Sequence, residues 1–117
     1  MKKYKSERTS LINLEGKTMT PGLIEGHGHF AGLGESKLNL DLSSVKSYDE
    51  LISVVENAIK NTQEGEWIIG RGWHQDKWTL KPKKIVRGFQ THEKLSEISK
   101  NNPVWLRHAS GHASFGN

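Results

Sequence analysis

Two histidines one residue apart, His27 and His29, stand inside the glycine-rich stretch GLIEGHGHF at residues 22–30. Imidazoles bind divalent metals, shuttle protons or donate hydrogen bonds, so the spacing decides which chemistry is available. If residues 23–29 form a strand, positions i and i+2 project to one side. His27 and His29 then share a face with Glu25, and Gly28 adds no bulk opposite. Two ring nitrogens so placed reach one ion at about 2.0–2.1 Å. Glu25 can join them directly or orient a ligand through a hydrogen bond. The same residues also fit G-x-G-x-x-G/A, as Gly26-His27-Gly28-His29-Phe30-Ala31 with Asp49 about 20 residues on. That dinucleotide fingerprint needs a helix starting inside the glycines. Gly32, Gly34 and the leucine alternation beyond them predict none, which leaves a metal pair or, as a bare H-x-H more often is, two exposed histidines.

The elements that must position these residues follow from periodicity. Residues 11–14 are a short extended piece, and Thr20-Pro21-Gly22 is a turn. Leu38, Leu40 and Leu42 alternate with polar residues, as in a strand. Ser47-Tyr48-Asp49-Glu50 is a capping box. It opens a helix to about residue 62, with Leu51, Val55, Ala58 and Ile59 as its apolar stripe and Gly65 as its stop. Residues 66–73 are rich in strand formers, and residues 74–88 are basic loop. Thr91 is placed to cap a short helix to about Lys100, ended by Asn101-Asn102-Pro103. Residues 104–108 form another strand. Strand, helix, strand, helix, strand is the order of a parallel α/β sheet. Trp67 and Trp105 are expected in its core, Trp78 fits core or surface, and His92 and His108 read as structural.

Composition narrows the function classes. The chain has 117 residues, enough for one small domain. Its mean hydropathy of −0.68 is polar, yet four tryptophans argue against a solvated tail. No stretch approaches the apolar run of about 18 residues that spans a membrane. After the charged start MKKYKSERTS comes only LINL, too short for a signal-peptide core. Cysteine is absent, which excludes disulfides and thiolate metal sites, and a cytoplasmic protein is the expectation. The net charge of +4 gathers at Lys2, Lys3, Lys5 and Arg8 and at Lys81, Lys83, Lys84 and Arg87. Neither cluster lies on a periodic helix face, so both read as solvated loops rather than nucleic-acid surfaces.

Residues 14–29, Leu-Glu-Gly-Lys-Thr-Met-Thr-Pro-Gly-Leu-Ile-Glu-Gly-His-Gly-His, resemble the entry to the first barrel strand of the amidohydrolase superfamily. Gly65-Glu66-Trp67-Ile68-Ile69-Gly70-Arg71-Gly72-Trp73 and Pro103-Val104-Trp105-Leu106-Arg107, followed by Gly111-His112 and Asn117, look like the amidohydrolase family 3 branch. That branch includes the N-substituted formamide deformylases. The resemblance implies part of a (β/α)₈ TIM barrel, its first strands and helices only. Residues 1–19 would be the end of a preceding β-domain, and 20–117 the start of the barrel, which needs about 200 residues or more. It makes His27 and His29 ligands of a divalent metal, zinc above all, with iron or manganese also accepted. Glu25 stands beside them where Asp is common. His112 and Trp73, with His74, would meet substrate. The remaining ligands, a lysine open to carboxylation, further histidines and a catalytic Asp, are expected beyond Asn117, where chain-end fraying would blur any role for Asn117 itself. The implied activity is hydrolysis of C–N bonds other than peptide bonds in a small amide-type substrate, by a metal-activated water. An isolated piece of such a barrel should self-associate and be inactive. The competing class is a small non-catalytic binding module that keeps the motif.

Overall fold

The computed structural model describes residues 4–117; Met1 and two members of the first basic cluster, Lys2 and Lys3, lie outside the described residues. In chain order the elements are α1 (Phe30–Ser36), β1 (Leu40–Asp41), α2 (Tyr48–Ile59), β2 (Ile68–Trp73), β3 (Ile85–Val86), β4 (Phe89–Gln90), α3 (Glu93–Ile98), β5 (Val104–His108) and β6 (Ser114–Gly116). A 3₁₀ turn, Gln75–Lys77, follows β2.

The best-specified element is α2. Ser47 is extended (φ −156°, ψ 164°), and its hydroxyl accepts the Glu50 N–H at 3.0 Å. The Glu50 carboxylate turns back to accept the Lys46 N–H at 2.8 Å, so two free donors at the helix entry are satisfied. Tyr48, Leu51 and Val55 form the buried face. The Tyr48 hydroxyl donates to the Thr91 carbonyl at 2.7 Å, and burial pushes this phenol up to about 12. The helix ends at Ile59, short of residue 62, and the chain turns at Gly65 with φ +85°.

The main sheet has the order β1-β2-β5-β6. Its first three strands are parallel, with Leu40 opposite Gly70 and Ile68 opposite Val104. Both crossovers pack on the same face. Leu51 and Val55 of α2 and Leu95 of α3 join Leu42, Ile68, Val104 and Leu106 in one buried cluster. Burial alternates along β5, so Ile69, Arg71, Trp105 and Arg107 emerge on the other, uncovered face.

Several expectations are corrected. Residues 23–29 form no strand; they run into bends at Gly26 and His27 and then into α1, a helix the glycines did not predict. Residues 4–31 are exposed throughout. The radius of gyration is accordingly 23.9 Å against about 13 Å for a packed chain of this length. The basic loop contains a hairpin, β3–β4, whose two-residue turn places Arg87 at φ +49° and Gly88 at φ +87°, the primed geometry that suits strand twist. Thr91 does not cap α3: His92 holds that position, with helical φ and ψ and no side-chain bond to the first turn. Strand β6 is antiparallel to β5, a departure from an all-parallel sheet. Trp67 and Trp105 are 63% and 46% exposed, while Trp78 is core.

Asn117 does not fray in its bonding. Its side-chain oxygen accepts the Val104 N–H at 3.0 Å, and its amide donates to the carbonyls of Ser99 and Asn102 and to the Ser99 hydroxyl. It ties β6 to the entry of β5, the end of the sheet opposite the strand C-termini.

Replacing Ser47 by Ala should cost about 0.5–2 kcal/mol in a urea melt, because the Glu50 N–H loses its acceptor. A change near zero would show that the cap contributes nothing.

Candidate active site

The two histidines of the glycine-rich stretch meet without a strand. His27 Nε2 and His29 Nε2 are 3.1 Å apart, and the rings stand edge to face with centroids at 4.7 Å. Glu25 sets the turn: its carboxylate accepts the His27 N–H at 2.6 Å, folding residues 25–27 so that the ring at 27 swings toward the ring at 29. Glu25 thus bonds backbone rather than an imidazole. Ring nitrogens bound to one tetrahedral ion at about 2.0–2.1 Å stand about 3.3 Å apart. The observed separation fits that edge with little movement. Without an ion, one imidazole donates to the other, the tautomers being opposite. Among the described residues, no group of three or more His, Asp or Glu converges on a metal position, so the pair supplies two donors only.

The other expected site residues divide. His112 is exposed in the β5–β6 turn, its N–H donating to the Ser110 hydroxyl at 3.3 Å. Trp73 stands in the core rather than exposed at a pocket wall: it is 1% exposed, and its indole N–H donates to the Leu106 carbonyl at 2.8 Å. The cause is a bulge at Gly72, between the Arg71–Arg107 and Trp73–His108 pairings. Gly72 has φ +107°, and a Cβ there would stand 3.0 Å from the Ser43 nitrogen, so only glycine fits. The extra residue turns Trp73 from the open face into the core.

The same bulge brings His74 against His108 at the C-terminal ends of β2 and β5, with ring centroids 4.5 Å apart. His108 Nε2 lies 3.1 Å from Gln75 Oε1, while Nδ1 accepts the Ser110 N–H at 3.1 Å and lies 2.8 Å from its hydroxyl. This bonding assigns the proton to Nε2 of a neutral ring. Burial holds the His108 pKa below its usual value, the neighbouring His74 lowers it further, and Asp76 opposes weakly. His74 Nδ1 is buried with no partner among the described residues. Sequence spacing gave no sign of this pair, because the two residues lie far apart in the chain and meet only through strand register.

On the open face, α1 and the strands enclose a cleft of about 370 Å³. Gly32 and Glu35 of α1 line one side and Ile69, Arg71, Trp105 and Arg107 the other. The second basic cluster lies in the loop and hairpin on the far side of β2 and is partly neutralised: Lys84 pairs with Glu93, and Lys81 with Asp76 at 4.0 Å. Lys84 holds the Glu93 carboxyl down at about 2. Lys5 and Arg8 of the first cluster are exposed. No helix among the described residues is long and apolar enough to cross a membrane.

A dinucleotide turn finds no support in this geometry. A helix does begin at Phe30, but no strand precedes it among the described residues, it has seven residues, and both crossovers lie on one sheet face. A doubly wound sheet needs helices on both faces.

Residues 10–117 match the model of an amidohydrolase family, Amidohydro_3. Protein LONG AFTER FAR-RED 3 of Arabidopsis thaliana is 35% identical over the whole chain, which covers 19% of that protein. Putative amidohydrolase YtcJ of Bacillus subtilis is 31% identical over 95% of the chain and 20% of its own length. An N-substituted formamide deformylase of Arthrobacter pascens is 29% identical over 92% of the chain and 19% of its own length. The chain therefore spans about a fifth of the length of the curated relatives it matches. No solved structure matches it significantly.

Burial of His108, with His74 against it, makes stability depend on pH. His108 takes a proton less readily folded than unfolded, so the unfolded state binds more protons once pH falls below about 6.5. Its contribution is intact above that value and is lost as pH falls further. Urea midpoints should decline from pH 7 to pH 5, and the decline should shrink in His108→Gln. Equal slopes in both proteins would remove His108 as the cause. Asp41 and Glu93, whose carboxyls are held low, act only in a more acidic window.

Proposed function

The chain belongs to the amidohydrolase family, and from that membership we propose that it forms the first part of a metal-dependent hydrolase barrel acting on C–N bonds other than peptide bonds. The observation that carries the barrel is the sidedness of the sheet. Consecutive parallel strands β1, β2 and β5 are adjacent in order, and both crossovers pack on one face. A parallel sheet is ordinarily buried on both faces; one covered outside and bare inside is a segment of a closing barrel wall. The bare face bearing Ile69, Arg71, Trp105 and Arg107 is then the lumen. By this reading residues 1–19 lead in from a preceding domain and residues 20–117 begin the barrel.

His27 and His29 would hold the metal, zinc in the first instance and iron or manganese as alternatives, since two imidazoles suit all three. When bound, the ion supplies a polarised amide carbonyl and a water acidic enough to act as nucleophile at neutral pH. The chain's own residues do the positioning. Glu25 fixes the His27 backbone, and the His27–His29 edge holds two Nε2 atoms at a separation that needs little adjustment once the donating ring moves its proton to Nδ1. His112, on the turn after β5, is proposed to meet the substrate, a small amide, at the strand C-termini. Two ring nitrogens leave coordination positions for water and for ligands from elsewhere in the polypeptide.

The test is metal content and amide hydrolysis of the complete natural polypeptide, with His27→Ala and His29→Ala singly and together. N-benzylformamide is a suitable first substrate, with a dipeptide as the contrasting amide. The double variant should lose its metal and drop hydrolysis by about 100-fold or more. Retention of both metal and activity would make the two histidines bystanders.

A further inference from the structure

On the open face the strand register lines up Asp41, Arg71, Arg107 and Ser114 at one level across β1, β2, β5 and β6. The two arginines are nearest neighbours on adjacent parallel strands, like charges side by side, which is destabilising unless an anion lies between them. No carboxylate of the described residues comes within 4.0 Å of either guanidinium. Asp41, one strand over from Arg71, makes no ion pair with it; its carboxylate turns back to accept the Ser43 N–H at 2.9 Å. Glu35 lines the far wall of the cleft, on α1, and Lys77 adds a third cation. On the helix-covered side, by contrast, Lys81, Lys84 and Lys94 have each found an acid.

One level below the arginines, Ile69 and Trp105 are register partners and form a half-exposed apolar shelf. Above them the loop at Gly111 runs beside Arg107 in ordinary contact. Gly111 has φ +77°, and a Cβ there would lie 3.5 Å from Arg107 Nη2. His112 follows directly. The cleft thus combines an apolar floor and a paired guanidinium rim, at a volume suited to a small molecule.

From this geometry we propose that Arg71 and Arg107 bind the carboxylate of an anionic amide, whose apolar body rests on Ile69 and Trp105. Arginine's planar fork accepts a carboxylate through two parallel hydrogen bonds. The assignment rests on the amidohydrolase reading for the word amide, but its test needs no turnover.

The complete natural polypeptide is titrated with N-acetylphenylalanine, with its neutral analogue N-acetylphenylalaninamide, and with inorganic phosphate. Each titration is run with zinc and again with a chelator. The acid should bind about tenfold or more tighter than the amide in both conditions, with the gap narrowing as salt rises. In Arg71→Gln/Arg107→Gln the ratio should fall to near one, and Arg107→Lys should retain part of it. Circular dichroism of each variant establishes that it is folded. Equal binding of acid and amide, or an unchanged ratio in the double variant, overturns the proposal. A preference seen only with zinc overturns it too, since the carboxylate is then on the metal. Phosphate displacing the acid below the acid's own Kd overturns the carboxylate in favour of a phosphate. A failure of hydrolysis with the acid preference intact would count against the amidohydrolase chemistry alone.

Discussion

Everything else in the molecule depends on one apolar layer, in which α2 and α3 bury the same face of three parallel strands. Leu51 and Val55 of α2 and Leu95 of α3 join Ile68, Val104 and Leu106 in one buried cluster. The layer is close-packed at Gly70: a Cβ there would stand 3.0–3.2 Å from Leu106, Leu42 and Leu40, so these leucines would have to give way. Any larger residue would push β1 away from β2 or lift the leucines off the sheet. Because right-handed crossovers in consecutive order both fall on one side, the second face is left bare. Sidedness is thus a consequence of topology, and the chemistry-bearing side chains of β2 and β5 inherit it by alternation.

A single glycine modifies that inheritance. Alternation alone would put Ile69, Arg71 and residue 73 on the open face together. Gly72 inserts an extra step, so Trp73 joins His108 on the covered side. The exchange has two effects. A large indole fills the core with its N–H satisfied by Leu106, and His74 is re-aimed against His108. The sheet can do this only where φ reaches +107° and where Ser43 leaves no room for a Cβ. The bulge also stops the row of open-face side chains at Arg71, which places the arginines as the last layer before the strand ends.

The sequence made legible those features that rest on local chemistry. Ser47 and Glu50 cap α2 because both partners lie within four residues, and the strands at 68–73 and 104–108 follow from their composition. The His27–His29 convergence was legible as a spacing, but for a different local reason: the i, i+2 rule assumed a strand, whereas a Glu25-closed turn brings the rings together. What stayed hidden depends on long-range register. Trp67 and Trp105 read as core by hydrophobicity, yet they fall on the uncovered face. Trp73 read as a pocket residue because nothing in the order of residues reports which side of a bulge survives, although Gly-Arg-Gly inside a strand pattern is the available signal. The β3–β4 hairpin was masked by its lysines, its Arg87-Gly88 turn being the clue. Asn117 was discounted as a chain end, but three polar groups of a neighbouring loop converge on its amide.

The bare face also explains why its charges differ from those on the helix side. Lysines there lie on exposed loops or in the first turn of α3 and reach acids through their long stems, as Lys84 does with Glu93 and Lys94 with Asp49; such pairs contribute little to stability. Arg71 and Arg107 are fixed on strands whose register is set by the apolar layer beneath, so they cannot separate to relieve repulsion. Asp41, the one acid at their level, is occupied by Ser43. A fold that needed only solubility could spread these cations among the loops. Holding two guanidiniums rigidly side by side, above an apolar shelf, is a cost that an anionic ligand in the cleft would offset.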